Sequence, residues 1–171
     1  MVDCVNEFEV GTHEWFMFEA YKEAVCAYKS GESPVGAVIV RDGVIIARAH
    51  NNKETLRNPL GHAEVLSIYE ASSKLGDWRL NGCDMYVTLE PCLMCSGALI
   101  LARINKVYIG TRDPKSGAVV SVFDVLDEER LNHRVKYEVG LLEDLSSSIL
   151  KDFFKQLRLS KKTRGEVSKW S

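Results

Sequence analysis

No stretch of this sequence approaches the roughly twenty consecutive apolar residues that a membrane-spanning helix needs. The longest apolar runs are short, as at Val35–Val40 and Ala98–Ala102. The opening residues, MVDCVNEFEV, have neither the basic start nor the apolar stretch of a secretory signal. A cytoplasmic protein without membrane contact is expected. Internal repeats and low-complexity tracts are missing too, as is any interdomain linker. Cysteine is sparse and odd in number: Cys4, Cys26, Cys83, Cys92 and Cys95. Five thiols without a secretion signal argue against a disulfide framework. The close pair Cys92 and Cys95 then needs another explanation.

What is present describes one globular domain. The chain has 171 residues, 46% hydrophobic and 27% charged, which suffices for a real core and excludes a largely disordered polymer. The net charge of -2 hides a split. Residues 151–171 carry seven basic and two acidic side chains, a local charge of +5 against -7 on the rest. Such a basic end fits a phosphate-bearing partner or a solubilising tail. The expected organisation is a domain over residues 1–160 and a basic polar tail over 161–171.

Periodicity gives the elements. Residues 13–30 read as a helix with Met17, Ala20, Tyr21, Ala24, Ala27 and Tyr28 on three- and four-residue spacing, Thr12 as cap and Gly31 as stop. Residues 35–40 and 44–50 form a hairpin about the Asp42-Gly43 turn. Residues 51–61 are polar loop. A second helix over 62–75 closes at Gly76. A strand over 85–89 leads to a third helix opened by Pro91. A fourth strand over 106–110, a loop over 111–121 followed by a short helical piece, and a fifth strand over 135–139 precede a last helix over 142–159. The strands over 85–89 and 106–110, joined by a helix, should be parallel neighbours. The fold class is α/β, a three-layer α/β/α sandwich about a mixed sheet of about five strands.

Two motifs carry chemistry. His62-Ala63-Glu64 opens the second helix, and Pro91-Cys92-Leu93-Met94-Cys95 opens the third. Cysteines three apart share one helix face, and a helix N-terminus favours thiolates. Two thiolates and one imidazole make a three-ligand zinc site whose fourth position stays open, the catalytic arrangement. His62 is the candidate third ligand. Glu64 lies roughly 200° away around an ideal helix, better placed to flank a bound water than to join the metal. Two other readings stand beside this one. A lone CxxC also describes a thioredoxin-like redox site, and Cys83 or His50 would close a structural zinc site. Both motifs together favour catalytic zinc.

At these residues the chain resembles the zinc-dependent cytidine deaminase superfamily. The likeness extends through Pro34-Val35-Gly36-Ala37-Val38, Ala49-His50-Asn51, Tyr86 to Cys92, Thr111 to Lys115, Gly117-Ala118, Leu131-Asn132-His133 and Asp152-Phe153-Phe154. Over about residues 12–160 it is similar to the bacterial tRNA-specific adenosine deaminases. That resemblance implies one zinc ion per chain on His62, Cys92 and Cys95, an acidified water, and Glu64 as proton shuttle. It implies conversion of the wobble adenosine (position 34) of an arginine tRNA anticodon to inosine by a homodimer. It also implies that Asn51 bonds the target base or ribose, that the N–H of Ala63 faces the base, and that His62 offers its ring as a stacking surface. Asp113 and Lys115 would contact flanking nucleotides, and the basic last helix would meet the RNA. Gly61 and Val120 depart from the family pattern, and the tail runs past its usual end. Deamination of a free base such as guanine or cytosine is the alternative. The Arg112 to Lys115 loop and the basic end favour RNA, because a free base needs no phosphate-binding surface. Glu64 argues against a zinc-stabilised binding module, which has no use for a carboxylate beside its ligand.

Overall fold

In a computed structural model, residues 8–167 are described, with side chains as far as residue 160. Five strands and five helices follow one another as α1 (His13–Lys29), β1 (Gly36–Arg41), β2 (Val44–His50), α2 (Lys53–Leu56), α3 (Ala63–Leu75), β3 (Cys83–Leu89), α4 (Leu93–Leu101), β4 (Lys106–Thr111), β5 (Lys136–Val139) and α5 (Glu143–Val167). The sheet order is β2-β1-β3-β4-β5. β1 is antiparallel to β2 and to β3, whereas β4 runs parallel to both β3 and β5. This is the mixed five-stranded sheet that the sequence implies.

Side-chain alternation builds the layers, since successive strand residues face opposite sides of a sheet. Ala37, Ile39, Met85, Val87, Val107 and Ile109 enter the larger core cluster with Ala63 and Ala71 of α3 and Leu99 of α4. Val38, Val40, Tyr86 and Tyr108 face the other way, onto Phe16, Met17 and Ala20 of α1. α5 packs beside α1 on β3 and β4. Two glycines permit this close approach. A Cβ on Gly36 would collide with the Ala20 carbonyl oxygen and the Ala24 nitrogen of α1. One on Gly110 would meet Ser146 of α5 and the Thr88 carbonyl oxygen.

The expected punctuation is in place. Thr12 Oγ1 accepts from the Trp15 N–H at 3.2 Å and so caps α1. Gly31 and Gly76 take φ of +75° and +65° just past α1 and α3, where a side chain is strained. Several boundaries differ from the sequence reading, α4 opening at Leu93 rather than Pro91 among them, and the short helical piece expected after Ser121 is not formed. The 51–61 loop contains the one-turn α2, β3 starts two residues early, and α5 continues to Val167 rather than ending near Leu159. α2 escapes periodicity because four residues carry no repeat, and the helical backbone of α5 enters the expected tail. Residues 168–171 lie outside the described part.

Candidate active site

The C-terminal end of β3 and the N-termini of α3 and α4 converge, and the two motifs meet there. His62 is the N-cap of α3, in extended conformation at φ -84° and ψ 145°. Cys92 is the N-cap of α4, with φ -74° and ψ 174°. α3 therefore starts one residue after the first of its motif, and α4 starts two residues after Pro91, which stands outside the helix it was expected to open. Cys92 and Cys95 share one helix end rather than one helix face. The roughly 200° separation of His62 from Glu64 does not apply either, because His62 stands outside the helix while Glu64 occupies its first turn.

The three ligand atoms form a compact triangle. Cys92 Sγ and Cys95 Sγ are 3.7 Å apart, and His62 Nδ1 lies 3.8 Å from the first and 3.5 Å from the second. Tetrahedral bonds of about 2.3 Å to sulfur and about 2.05 Å to nitrogen require S···S edges of about 3.8 Å and S···N edges of about 3.6 Å. The triangle matches those edges, so these residues fit a zinc ion. The sulfur separation is far beyond the about 2.05 Å of a disulfide. Among the described residues, the group able to share a metal is His62, Cys92 and Cys95. Cys83 begins β3, at the opposite end from Cys92, and His50 Nδ1 is 2.9 Å from Glu23 Oε2. Neither supplies a fourth ligand.

Electrostatics tune the cluster. The Cys95 thiol, with help from His62, holds Cys92 down to about 4 against the opposing effect of burial. Its proton partner Cys95 is pushed up. The hydrogen bond with Cys92 raises His62. Burial raises Glu64, whose Oε2 is enclosed with no hydrogen-bond partner. An enclosed carboxylate oxygen without a partner is costly, so its place beside the three ligands points to a proton-handling role.

His62, Glu64 and Cys92 line a cleft of about 630 Å³, within the usual range for small-molecule sites. Asn51 and Lys53 border it on one side, and Arg112 and Lys115 on another. α5 contributes Lys151, Phe154 and Arg158. The Asp152-Phe153-Phe154 motif thereby divides its labour. Asp152 accepts from the Tyr28 hydroxyl at 2.5 Å and Phe153 packs edge-on against the Tyr28 ring, while Phe154 faces the cleft.

The remaining expected residues are placed as follows. Asn51 Oδ1 accepts from the Ala63 N–H at 3.0 Å, so that amide is already engaged and orients Asn51 instead of facing an open cleft. The Asp113 carboxylate is turned into its own loop. Oδ1 accepts from the Lys115 and Ser116 amides at 2.9 and 3.3 Å, and Oδ2 from the Ser116 hydroxyl. Asx turns of this kind are ordinary local chemistry, and they leave Lys115 exposed at the rim. His133 Nε2 lies 2.7 Å from the Ile104 carbonyl oxygen, which makes it a brace for the α4–β4 turn.

Two buried acids had no assigned role in the sequence reading. Glu32 accepts from the Glu54 and Thr55 amides at 3.2 and 2.7 Å, and thereby caps α2 where Asn52 provides no side-chain cap. Glu90 receives the amides of Asp113, Val119, Val120 and Ser121 together with the Ser121 hydroxyl. Burial alone would raise both acids, but their donors hold them below the usual carboxylate range. The departures from the family pattern sit in these same loops. Gly61 lies so close to Asn52 and Lys53 that a Cβ would come within 3.0 Å of the Lys53 Cα. Val120 contributes its amide to Glu90 whatever its side chain.

The sequence profile of the MafB19-like deaminase family matches residues 11–158. The chain belongs to this family. A tRNA-specific adenosine deaminase of Aquifex aeolicus is 54% identical over 145 residues, covering 85% of this chain and 95% of that protein. A solved chain from work on A-to-I editing by tRNA:A34 deaminases at the wobble position of transfer RNA is 44% identical, with a TM-score of 0.77 over 79% of this chain and 98% of its own. A guanine deaminase from Bacillus subtilis superposes with a TM-score of 0.59 at 35% identity, covering 86% of this chain and 94% of that one. The guanine deaminase has the lowest identity of the three and the lower TM-score of the two structures.

Proposed function

We propose that this deaminase converts the wobble adenosine of a tRNA anticodon, that of an arginine tRNA, to inosine and ammonia. The observation that carries the reading is the cleft itself. His62 and Cys92 of the His-Cys-Cys triangle line it beside the buried Glu64, one of whose carboxylate oxygens is unpartnered, and cations from three separate segments line it too. Only a substrate with phosphates uses all of these features. Identity with the tRNA-specific relatives supports the same choice.

In this reading His62, Cys92 and Cys95 would hold zinc, which would supply Lewis-acid activation of a water. Glu64 takes that water's proton on its carboxylate and delivers it to the purine N1, the ring nitrogen next to the attacked carbon. It then assists departure of the amino group as ammonia. The Asn51 carbonyl is held by Ala63, so its amide nitrogen is the group left to meet the base or ribose. Lys115 contacts a flanking phosphate, with Asp113 holding the turn that presents it. The catalytic domain ends near residue 160, and the basic segment beyond it extends the RNA surface.

The working form is a homodimer. Leu93 and Leu101 of α4 are 56% and 74% exposed, an apolar face that a second copy would cover. No helix among the described residues is long and apolar enough to cross a membrane, in keeping with a cytoplasmic place of work. Sedimentation equilibrium at micromolar concentration should give twice the 19.2 kDa chain mass. The decisive assay incubates the protein with an anticodon stem-loop, adenosine, guanine and cytosine and measures ammonia. Release from the stem-loop alone is expected. Release from guanine or cytosine instead would transfer the assignment to free-base deamination.

A further inference from the structure

The loop over residues 112–121 carries Arg112 and Lys115 to the rim of the cleft, yet it has no strand or helix of its own. One buried side chain gathers most of its donors. Glu90 follows the last residue of β3 and directly precedes Pro91-Cys92. Its Oε1 accepts the amides of Val119, Val120 and Ser121 at 3.1, 2.8 and 2.9 Å. Its Oε2 accepts the Asp113 amide at 3.0 Å and the Ser121 hydroxyl. Five donors meet about four lone-pair directions, so the carboxylate has nothing left to offer a metal or a substrate. Its action must run through the loop.

The loop is also tied to the backbone of the ligand segment. The Ala118 amide donates to the Pro91 carbonyl at 2.8 Å, and Gly117 forms an isolated antiparallel bridge with Cys92. Gly117 lies directly on the acid. A Cβ there would collide with Glu90 Cδ and Oε2 and come within 2.6 Å of the Asp113 carbonyl oxygen. Acid and glycine are thus matched, one filling the space that the other leaves free.

We propose that Glu90 is a positioning residue that fastens the 113–121 loop to the ligand segment, so that Lys115 and Arg112 are held ready for the flanking phosphates before RNA arrives. The inference rests on the tRNA reading for its substrate but not for its structural half. A loop ordered in advance loses less freedom on binding. Glu90 therefore governs how tightly the RNA loop is held, not how fast the base reacts.

The test uses the zinc-loaded full chain and the Glu90→Gln, Gly117→Ala and Ser121→Ala variants. Glu90→Gln turns an N–H₂ group toward backbone N–H donors. Gly117→Ala keeps the acid but displaces the loop. Ser121→Ala removes one hydroxyl donor and serves as the mild case. Amide hydrogen exchange on the free protein should show the Asp113, Val119, Val120 and Ser121 amides losing protection about tenfold or more in Glu90→Gln, with the β1, β3 and β4 amides unchanged. Zinc content should stay at one per chain. KM for the stem-loop should rise about tenfold with kcat within about threefold. The Glu90→Gln, Gly117→Ala double variant should be no worse than the poorer single one, because both break the same attachment. Unchanged protection of the four amides would overturn the proposal, as would a fall in kcat at constant KM or loss of zinc. Should Glu90→Gln fail to fold, the same amide pattern and KM shift must appear, smaller, in Ser121→Ala, and their absence there overturns it. A wild-type protein inactive on the stem-loop would defeat the tRNA reading, while the exchange measurements would still decide whether Glu90 orders the loop.

Discussion

Glu64 and Glu90 are both buried acids near Cys92, and their surroundings separate their roles. Every acceptor direction of Glu90 is taken by the protein, whereas Glu64 Oε2 has no partner. A carboxylate whose contacts are all internal builds structure, and one with an open oxygen beside a His-Cys-Cys cluster suits the proton transfer proposed for it. Glu64→Gln keeps the shape and removes the proton acceptor. Its kcat on the stem-loop should fall by at least 10²- to 10⁴-fold, the usual range for general acid–base work, while zinc content stays at one per chain. Loss of zinc would mean that Glu64 supports the ligands, and retained turnover that the proton moves by another route. Cys95→Ala removes one of three ligands, so zinc should be lost and thermal stability with it, since metal affinity is coupled to folding. Retention of both zinc and activity would disprove the site. That His62, Cys92 and Cys95 gather with Glu64 beside them was legible in the sequence, because such a cluster resides in side-chain type and spacing. The engagement of Ala63 by Asn51 and the attachment at Glu90 were not. Their partners are backbone amides, which every residue but proline supplies, and no residue letter records where an amide points.

At the scale of elements, the site depends on how closely the helices lie against the sheet. Short apolar runs bounded by turn residues in the strands and the three- and four-residue spacing in α1 were enough to assign both, because β1, β3 and β4 are buried on both faces whereas a helix buries one stripe. What the pattern could not show was that α2 exists, for one turn has no period and its cap comes from Glu32, about twenty residues upstream in sequence. Nor did it show the use of Gly36. That residue reads as an ordinary small position in an apolar strand, yet its missing side chain lets α1 touch β1. Gly36→Ala should therefore destabilise by about 1–3 kcal/mol or more, the range for overpacking. In a domain of this size that corresponds to a melting temperature lower by roughly 2–12 °C. Differential scanning calorimetry on the zinc-loaded protein measures it. An unchanged melting temperature would show that α1 can move away from the sheet without cost.

For the whole molecule, the charge split acquires a direction once the fold is known. The acidic excess is spread over the body, while α5 brings Lys151 and Arg158 to the cleft that Lys53, Arg112 and Lys115 border from other segments. The described start of the basic end therefore lines the cleft through Lys151 and Arg158, which sequence alone could not establish. Phosphate contacts of this kind release counterions, so affinity for the anticodon stem-loop should fall with salt by a logarithmic slope of about 0.7 per phosphate neutralised on single-stranded RNA. Replacing Lys155, Arg158, Lys161 and Lys162 together by Gln removes four charges without shortening the helix. If each meets a phosphate, the slope should flatten by up to roughly three, and by less if some face solvent. KM should rise and zinc content should not change. Fluorescence anisotropy of a labelled stem-loop from 50 to 300 mM salt, read beside the ammonia assay, gives both quantities. A variant with the wild-type slope and affinity would reduce the basic end to a solubility feature. RNA recognition would then rest on the rim cations Lys53, Arg112 and Lys115, and Lys115→Gln should in that case carry the larger loss.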